Sequence, residues 1–255
     1  MRILITNDDG IDAYGLSLLA DLARPFANDI TIIAPADNRS GTGRSLSLKT
    51  DIHLAEIGEG RYICSGTPAD CVMLGLGVVM KDNLPDIILS GVNHGMNVAD
   101  DVGYSGTIGA AFEGAINNIP AIAFSQDGGD LEADFAPTKE AGEMVLRYVL
   151  DNLPARRSVL NVNFPKLSTG RVKGIMPTFT DEHKLGDILF DAQTPHHYRI
   201  GPMRIAEGVR EGSDRDALQK GYVSVTPLMM GQTDKAQMAR YKALDSDLNS
   251  DMSSQ

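Results

Sequence analysis

The sequence predicts an α/β protein whose sheet is open and mostly parallel, with helices on both faces. Three observations support this fold class. Short β-branched runs alternate with helical patterns over residues 1–165, which is typical of parallel strands joined by crossover helices. The strand-like runs are almost entirely apolar, as in a sheet that is covered on both faces. The chain has 255 residues, 42% of them hydrophobic, so it can bury a core without a disulfide or a metal.

Five strands are expected in this part of the chain, because five runs are short, β-branched and bounded by polar or glycine-rich segments. They cover residues 2–6, 30–34, 86–90, 121–125 and 159–164. Helical patterns separate these strands, so they are expected to pair in parallel. The resulting sheet is Rossmann-like.

Four helices are expected between the strands. They cover residues 15–26, 68–80, 105–117 and 138–150. The first has Leu16, Leu19 and Leu22 at helical spacing. The second begins with a capping pattern, in which Thr67 precedes a proline at the first helical position and an acid at the third. Pro120 limits how far the third can continue.

Around Pro165 the pattern changes, which predicts two parts: an α/β catalytic core in residues 1–165 and a β-rich extension in residues 166–255. An irregular extension of this size is expected to pack on the sheet or on a second subunit, and so to take part in oligomerisation. Its expected elements are strands at residues 197–200 and 221–228, an aperiodic segment at 181–197 and a terminal helix at 234–244.

Net charge and composition indicate which classes of binding partner to exclude and where in the cell to expect the protein. Lys and Arg number 23 against 34 Asp and Glu, a net charge of −11 that repels a phosphate backbone, so no nucleic-acid partner is expected. No uncharged stretch reaches the roughly 18 residues of a membrane span, so no membrane partner is expected either. The two cysteines, Cys64 and Cys71, form no CxxC pair, and the first residues do not resemble a signal peptide. These features predict a cytoplasmic protein.

Ligands of open α/β sheets bind at the carboxyl ends of the strands, so the loops that leave those ends are the candidate sites. Asn7, Asp8, Asp9 and Gly10 follow the first strand. In a turn that Gly10 permits, both carboxylates can point at one place, where a cation would remove their repulsion. The alternative is an ordinary acidic turn before a helix.

Two further loops offer polar groups. Residues 36–45 are rich in glycine and hydroxyls and carry two arginines, which suits an anion but also a flexible turn. Residues 91–107 are dense in Asn and Gly and end in Ser-Gly-Thr at a helix start, a typical anion site. His94 in this loop is a candidate for proton transfer, although a lone loop histidine usually has no catalytic role.

The three loops together offer carboxylate, hydroxyl and amide oxygens, and the chain has neither HExxH nor CxxC. These donors favour a hard divalent cation, Mg²⁺ or Mn²⁺ first and Ca²⁺ second. A cation beside an anion-binding helix start indicates phosphate chemistry. An aspartyl-phosphate mechanism is disfavoured, because Asn7 stands where the nucleophilic Asp of that motif would be.

Five segments carry a family resemblance: MRILITNDDGIDAYGL, APADNRSGTGRSLSL, SGTPADCV, DIILSGVNHGMNVADDVGYSGTIGAAFEG and GYVSVTPL. In order and spacing they resemble the SurE family of stationary-phase survival proteins, which are metal-dependent 5'/3'-nucleotidases. The resemblance covers residues 1 to about 228. It implies hydrolysis of nucleoside 5'-monophosphates, with 3'-monophosphates and short polyphosphate as further substrates, and assembly into homodimers or homotetramers.

The resemblance also implies roles for individual residues. One divalent cation per subunit would be held by Asp8, Asp9, Ser40 and Asn93. Phosphate contacts would come from Asn97, Ser105, Gly106 and Thr107. Arg44 stands where some relatives carry Asn, so it is expected to hold substrate phosphate rather than the cation.

The predicted reaction is attack on a phosphomonoester by a water bound to the cation, with Asp8 or Asp9 orienting or deprotonating that water. The choice between the two carboxylates stays open. The alternative function is a regulatory module that binds nucleotides without hydrolysing them.

Overall fold

The structure is a computed structural model that describes residues 1–128, 135–167, 171–191, 194, 196–231, 233 and 238. Its strands are β1 (Arg2–Thr6), β2 (Asp29–Pro35), β3 (Leu54–Gly58), β4 (Arg61–Cys64), β5 (Ile87–His94), β6 (Ala121–Gln126), β7 (Ser158–Phe164), β8 (Ile175–Pro177), β9 (Lys184–Asp191), β10 (Tyr198–Ile205) and β11 (Val223–Met229). Its α-helices are α1 (Tyr14–Ala23), α2 (Pro68–Leu74), α3 (Gly106–Ile116), α4 (Ala136–Asp151) and α5 (Asp214–Gln219).

Nine strands form one sheet in the order β3-β4-β2-β1-β5-β6-β7-β11-β8. The central strands from β4 to β7 are parallel, whereas β3 pairs antiparallel with β4 and β11 antiparallel with β7. A separate antiparallel pair contains β9 and β10. The predicted fold class, a mostly parallel α/β sheet, is therefore confirmed.

Two hydrophobic cores cover the two faces of the sheet. Ile3 and Ile5 of β1 pack with α1 and α4, whereas Leu4, between them, packs with α2 and α3. This alternation follows from the period of two along a strand. All three side chains are fully buried, and burying each contributes about 1.5–3 kcal/mol. The uniform apolar character of β1 thus reflects burial on both sides.

The sheet differs from the prediction at its edges and at β5. β5 continues to His94, four residues beyond the predicted end at Ser90, because Asn93 and His94 pair with Ser125 and Gln126 of β6 after a register shift. The prediction missed β3 and β4, which form a partly exposed edge hairpin without a continuous apolar run. It also missed the short helix α5 and placed an aperiodic segment where β9 lies.

The C-terminal part of the chain contributes to both sheets. β11 and β8 extend the main sheet beyond β7, and α5 packs on β11. The terminal helix predicted at residues 234–244 lies outside the described residues, apart from Met238. The boundary near residue 165 and the oligomerisation role stay predictions. In the described part of the chain, no helix has the length and apolar character needed to cross a bilayer.

Candidate metal and phosphate site

The parallel pairing of β1 with β5 brings two polar loops to the same edge of the sheet. The last paired residues are Thr6 and Ser90, so the segment after β1 lies beside the last residues of β5. Asn7 closes a turn by donating from Nδ2 to the Gly10 carbonyl at 2.9 Å. Gly10 has φ +108°, a backbone conformation that favours glycine. The carboxylates thus leave the strand in a turn, as the sequence predicts.

Asp8 is buried and firmly held. Its side chain is only 3% exposed, and its Oδ1 accepts a hydrogen bond from the Thr107 hydroxyl at 2.5 Å. Its backbone carbonyl accepts from the Arg39 amide at 2.7 Å. Burial raises the pKa of Asp8 to about 6, and the negative charge of Asp9 adds to the rise, although the Thr107 bonds oppose it. Asp8 therefore joins three segments of the chain at a point where negative charge is poorly compensated.

Asp9 is half-buried, and it contacts β5. Its Oδ2 accepts from the backbone amide of His94 at 3.1 Å. Burial raises the pKa of Asp9 to about 6 as well, against the lowering effect of that hydrogen bond. Two neighbouring carboxylates with raised pKa values are the electrostatic mark of a site that a cation would complete.

Asn93 is oriented to present its amide oxygen. Its Nδ2 donates to the carbonyls of His94 and Gly95 at 3.1 and 2.8 Å, so Oδ1 is the atom that it can offer to a cation. The residue is 9% exposed. Because Asp9 binds the amide of the next residue, the Asn93 amide and the Asp9 carboxylate both lie at the end of β5.

The loop after β2 reaches this point through Arg39, whose amide contacts Asp8. Ser40 follows directly, with its own amide donating to Asn38 Oδ1 at 2.8 Å. The Gly43 amide donates to the Tyr104 carbonyl at 2.9 Å, which holds the loop over the start of α3. The structure thus brings the segment that contains Ser40 to Asp8, as the ligand set requires.

Arg44, in the loop after β2, packs against α3 beyond its first turn. Its Cζ is 5.0 Å from the centre of the Phe112 ring, and its Nη2 is 3.7 Å from Met230 Sδ. The side chain is exposed and stacked against the helix. Its contact with phosphate stays a prediction.

The start of α3 abuts Asp8. An ideal Cβ on Gly106 would lie 2.8 Å from Asp8 Oδ2, so only glycine permits this approach. The Ser105 hydroxyl caps the helix by accepting from the Ile108 amide at 3.2 Å, and the Thr107 hydroxyl is bonded to Asp8. Both hydroxyls therefore have protein partners, and the first-turn amides of α3 are the groups best suited to an anion.

Asn97 is held by a group of residues that the sequence analysis missed. Its amide donates to Asn163 Oδ1, and its carbonyl accepts from Asn161 Nδ2, both at 2.8 Å. Its own Nδ2 donates to Ser125 Oγ at 2.9 Å. The signal available in the sequence was the pair of asparagines two residues apart, near the carboxyl end of an otherwise apolar strand.

His94 lies at the edge of the site with its ring against Phe135, at 5.1 Å between ring centres. Burial lowers the pKa of His94, which keeps the imidazole neutral near pH 7. Within the described residues, its Nε2 has no hydrogen-bond partner. Packing accounts for this ring, and a role in proton transfer stays a prediction.

The donor set fits a hard divalent cation. In the described part of the chain, no group of three or more His, Cys, Asp or Glu side chains could hold a metal. A cation between Asp8 and Asp9 would therefore rely on amide and hydroxyl oxygens from Asn93 and Ser40. Such oxygens suit Mg²⁺, Mn²⁺ or Ca²⁺ and not Zn²⁺.

Cation affinity is expected to fall as the pH drops through about 6. Asp8 and Asp9 both have pKa values near 6, so below that pH protons compete with the cation for the same oxygens. In the metal-free protein, a raised pKa means that stability declines as the pH rises through about 6, and a bound cation offsets that loss. Isothermal titration with Mn²⁺ should show about 10- to 100-fold weaker binding at pH about 5 than at pH about 7.5. Equal affinity at both values would contradict the assignment of these ligands.

Comparison with known proteins decides the family. The sequence profile of the family described as "Survival protein SurE" matches residues 3–186. The chain belongs to the SurE family. This result confirms the resemblance inferred from the sequence motifs.

Named SurE proteins match nearly the whole chain. A protein named 5'-nucleotidase SurE from Rhizorhabdus wittichii is 44% identical over 252 residues, which cover 96% of this chain and 99% of that protein. A protein of the same name from Erythrobacter litoralis is 42% identical and covers 91% of this chain and 95% of its own length. The crystal structure of a SurE protein from Aquifex aeolicus superposes with a TM-score of 0.84 at 34% identity, covering 96% of this chain and all of that one.

Proposed function

We propose that this SurE family member is a hydrolase that releases phosphate from nucleoside 5'-monophosphates with the help of one divalent cation. The observation that carries the proposal is the pair of adjacent carboxylates after β1: Asp8 is buried against the first turn of α3, and the half-buried Asp9 contacts the end of β5. A cation site beside an anion-binding helix start is what phosphate-ester hydrolysis requires. The name of the relatives, 5'-nucleotidase SurE, supports the nucleotide substrate.

The cation ligands in this proposal are Asp8, Asp9, Ser40 and Asn93. A divalent cation bound there supplies positive charge for the phosphoryl oxygens and lowers the pKa of water. Mg²⁺ and Mn²⁺ are the first candidates because all four side chains offer hard oxygen atoms.

Asp8 and Asp9 are held in place to orient the water that attacks the phosphoryl group. The Thr107 hydroxyl holds one oxygen of Asp8, and the His94 amide holds one oxygen of Asp9. Each carboxylate keeps a second oxygen, with which it can orient a water or accept its proton. Burial raises the pKa of both carboxylates in the cation-free chain, and the choice between Asp8 and Asp9 as general base stays open.

In this proposal phosphate binds at the first turn of α3, beside Asp8. The first-turn amides of α3 and the helix dipole favour the negative charge that builds on the phosphoryl oxygens. Asn97 Nδ2 carries two protons, and Ser125 takes one of them, so the other can reach a phosphoryl oxygen. Arg44, whose guanidinium lies over Phe112 of the same helix, is the cation proposed to hold substrate phosphate.

The direct test is phosphate release from AMP and GMP by the full chain. We expect activity with added Mn²⁺ or Mg²⁺, complete loss with EDTA and recovery when excess Mn²⁺ is returned. A protein that binds AMP but releases no phosphate with any of these cations would instead be the regulatory module. In that case the hydrolase proposal is wrong.

Further properties belong to the same proposal. The substrate range extends to 3'-monophosphates and short polyphosphate, because the recognised groups are the phosphoryl oxygens. The chain works in the cytoplasm, in keeping with buried thiols at Cys64 and Cys71 that form no disulfide. It assembles into homodimers or homotetramers through the segment that follows residue 165.

A further inference from the structure

Three side chains on one face of the sheet surround Asn97. Asn161 and Asn163 are two residues apart on β7, so they share a face, and Ser125 on β6 pairs in register with Asn163. All three are completely buried. We refer to Ser125, Asn161 and Asn163 as the asparagine cradle.

The cradle satisfies every polar group of the Asn97 backbone. Asn163 Oδ1 accepts from the Asn97 amide at 2.8 Å. The Asn97 carbonyl accepts from Asn161 Nδ2 at 2.8 Å and from Asn163 Nδ2 at 3.1 Å. A further bond, from Asn163 Nδ2 to Asn161 Oδ1 at 3.2 Å, fixes the two amides relative to each other. The position of the Asn97 backbone is therefore determined by β7.

The third member fixes the side chain. Asn97 Nδ2 donates to Ser125 Oγ at 2.9 Å, which sets the rotation of the amide about its last torsion. Without that acceptor the amide could turn its oxygen toward the pocket, where it would repel a phosphoryl oxygen. The serine therefore determines which atom of Asn97 faces the substrate.

These residue types are unusual in a strand that is buried on both faces. The strands of a sheet that is covered on both faces usually carry apolar side chains. Burying a side-chain amide costs free energy unless its hydrogen bonds are made. In the described part of the chain, every hydrogen bond from the side chains of Asn161 and Asn163 ends on Asn97 or on the other asparagine. The polar groups in this part of β7 thus serve the loop that carries Asn97.

We propose that Ser125, Asn161 and Asn163 are positioning residues that hold Asn97 so that its Nδ2 faces the phosphoryl group. The inference rests on the proposed phosphatase function and names the structural support of its phosphate contact. None of the three touches the substrate; each acts through Asn97.

A double-mutant cycle tests this claim, with Ser125→Ala and Asn97→Ala made singly and together. One lost hydrogen bond corresponds to about a tenfold fall in kcat/KM for Ser125→Ala in the wild-type background. If Ser125 acts only through Asn97, the same change should cost less than about twofold in the Asn97→Ala background. An equal loss in both backgrounds would overturn the proposal, because a general structural defect does not depend on Asn97.

Further variants separate positioning from folding. Ser125→Thr keeps the hydroxyl and should restore kcat/KM to within about threefold of wild type. Ser158→Ala removes a hydroxyl at the other end of β7, where Oγ donates to the Ala155 carbonyl at 2.6 Å, and should leave kcat/KM unchanged. Equal losses of kcat/KM in the Ser158 and Ser125 variants would contradict the positioning role of Ser125.

A second measurement distinguishes the proposed hydrolase function from the positioning role of the cradle. It is the affinity of the Mn²⁺-loaded protein for inorganic phosphate, measured by isothermal titration on the same variants. A wild-type protein that binds phosphate but hydrolyses no nucleotide refutes the proposed function, and the cycle in phosphate affinity still tests the cradle. We expect the affinity to fall with Ser125→Ala only when Asn97 is present. A wild-type protein with neither activity nor phosphate affinity overturns both proposals.

Discussion

Replacing Asp8 with Asn is expected to lower cation-stimulated phosphate release at least about a hundredfold, since the loss of a direct ligand should exceed the 10- to 100-fold cost of losing its supporting partners. The same substitution should not destabilise the metal-free protein at pH about 7.5. Burial raises the pKa of Asp8 to about 6, so its ionised form is disfavoured in the folded state above that pH, and a neutral amide removes this penalty. Activity assays and thermal unfolding together should show lost function with unchanged or higher stability.

A matched control lies four residues further along the chain. Asp12 has a side chain that is 96% exposed and interacts with Arg61 at 3.7 Å, so Asp12→Asn makes the same chemical change outside the pocket. This variant should keep wild-type activity. Wild-type turnover by Asp8→Asn at saturating Mg²⁺ and Mn²⁺ would show that Asp8 is not a ligand.

Gly106→Ala is expected to have a comparably large effect, of about a hundredfold or more on kcat/KM. The new Cβ would lie 2.8 Å from Oδ2 and 2.9 Å from Cβ of Asp8, and 3.1 Å from the Thr42 hydroxyl. Either Asp8 or the start of α3 has to move, and both carry groups of the site. Alanine is a better helix former than glycine, so a loss of activity would not come from a weakened helix.

Gly77→Ala provides the control for this prediction. Gly77 also lies in a helical segment, Gly75–Val79, and nothing lies within 4 Å of the position of its Cβ. It should match wild type in kcat/KM, while circular dichroism should show native helix content for both variants. Full activity in Gly106→Ala would mean that the contact between α3 and Asp8 is not needed for catalysis.

The sequence indicated the candidate ligands through features that are local along the chain. Asp8 and Asp9 could be placed because the apolar strand ends beside them and Gly10 permits a turn. Asn93 and Ser40 followed from family motifs in loops that leave neighbouring strands. The parallel sheet then brings these loops together, because the carboxyl ends of its strands lie at one edge.

Other features depend on contacts between distant segments. Asn161 and Asn163 lie 64 and 66 residues from Asn97, and nothing near them in the chain indicates which backbone they bind. The hydrogen-bond partners of the Ser105 and Thr107 hydroxyls could not be predicted from the sequence either. In the structure the Ser105 hydroxyl caps α3 and the Thr107 hydroxyl holds Asp8, partners that residue type alone does not specify. Their contact with phosphate stays a prediction.

The end of β5 is a third feature that the local sequence did not predict. The residues after Ser90, Gly-Val-Asn-His, were predicted to be a loop, yet pairing with β6 continues the strand to His94. Tertiary hydrogen bonding thus outweighs local preference at the residues that form the site.

The cation site is tested most directly by a crystal structure of the full chain soaked in Mn²⁺, with anomalous scattering recorded at the manganese edge. We expect one strong peak per chain, at about 2.0–2.3 Å from oxygens of Asp8, Asp9 and Asn93, with Ser40 alongside. A peak elsewhere, or none in crystals of a protein that Mn²⁺ activates, would contradict the proposed cation site.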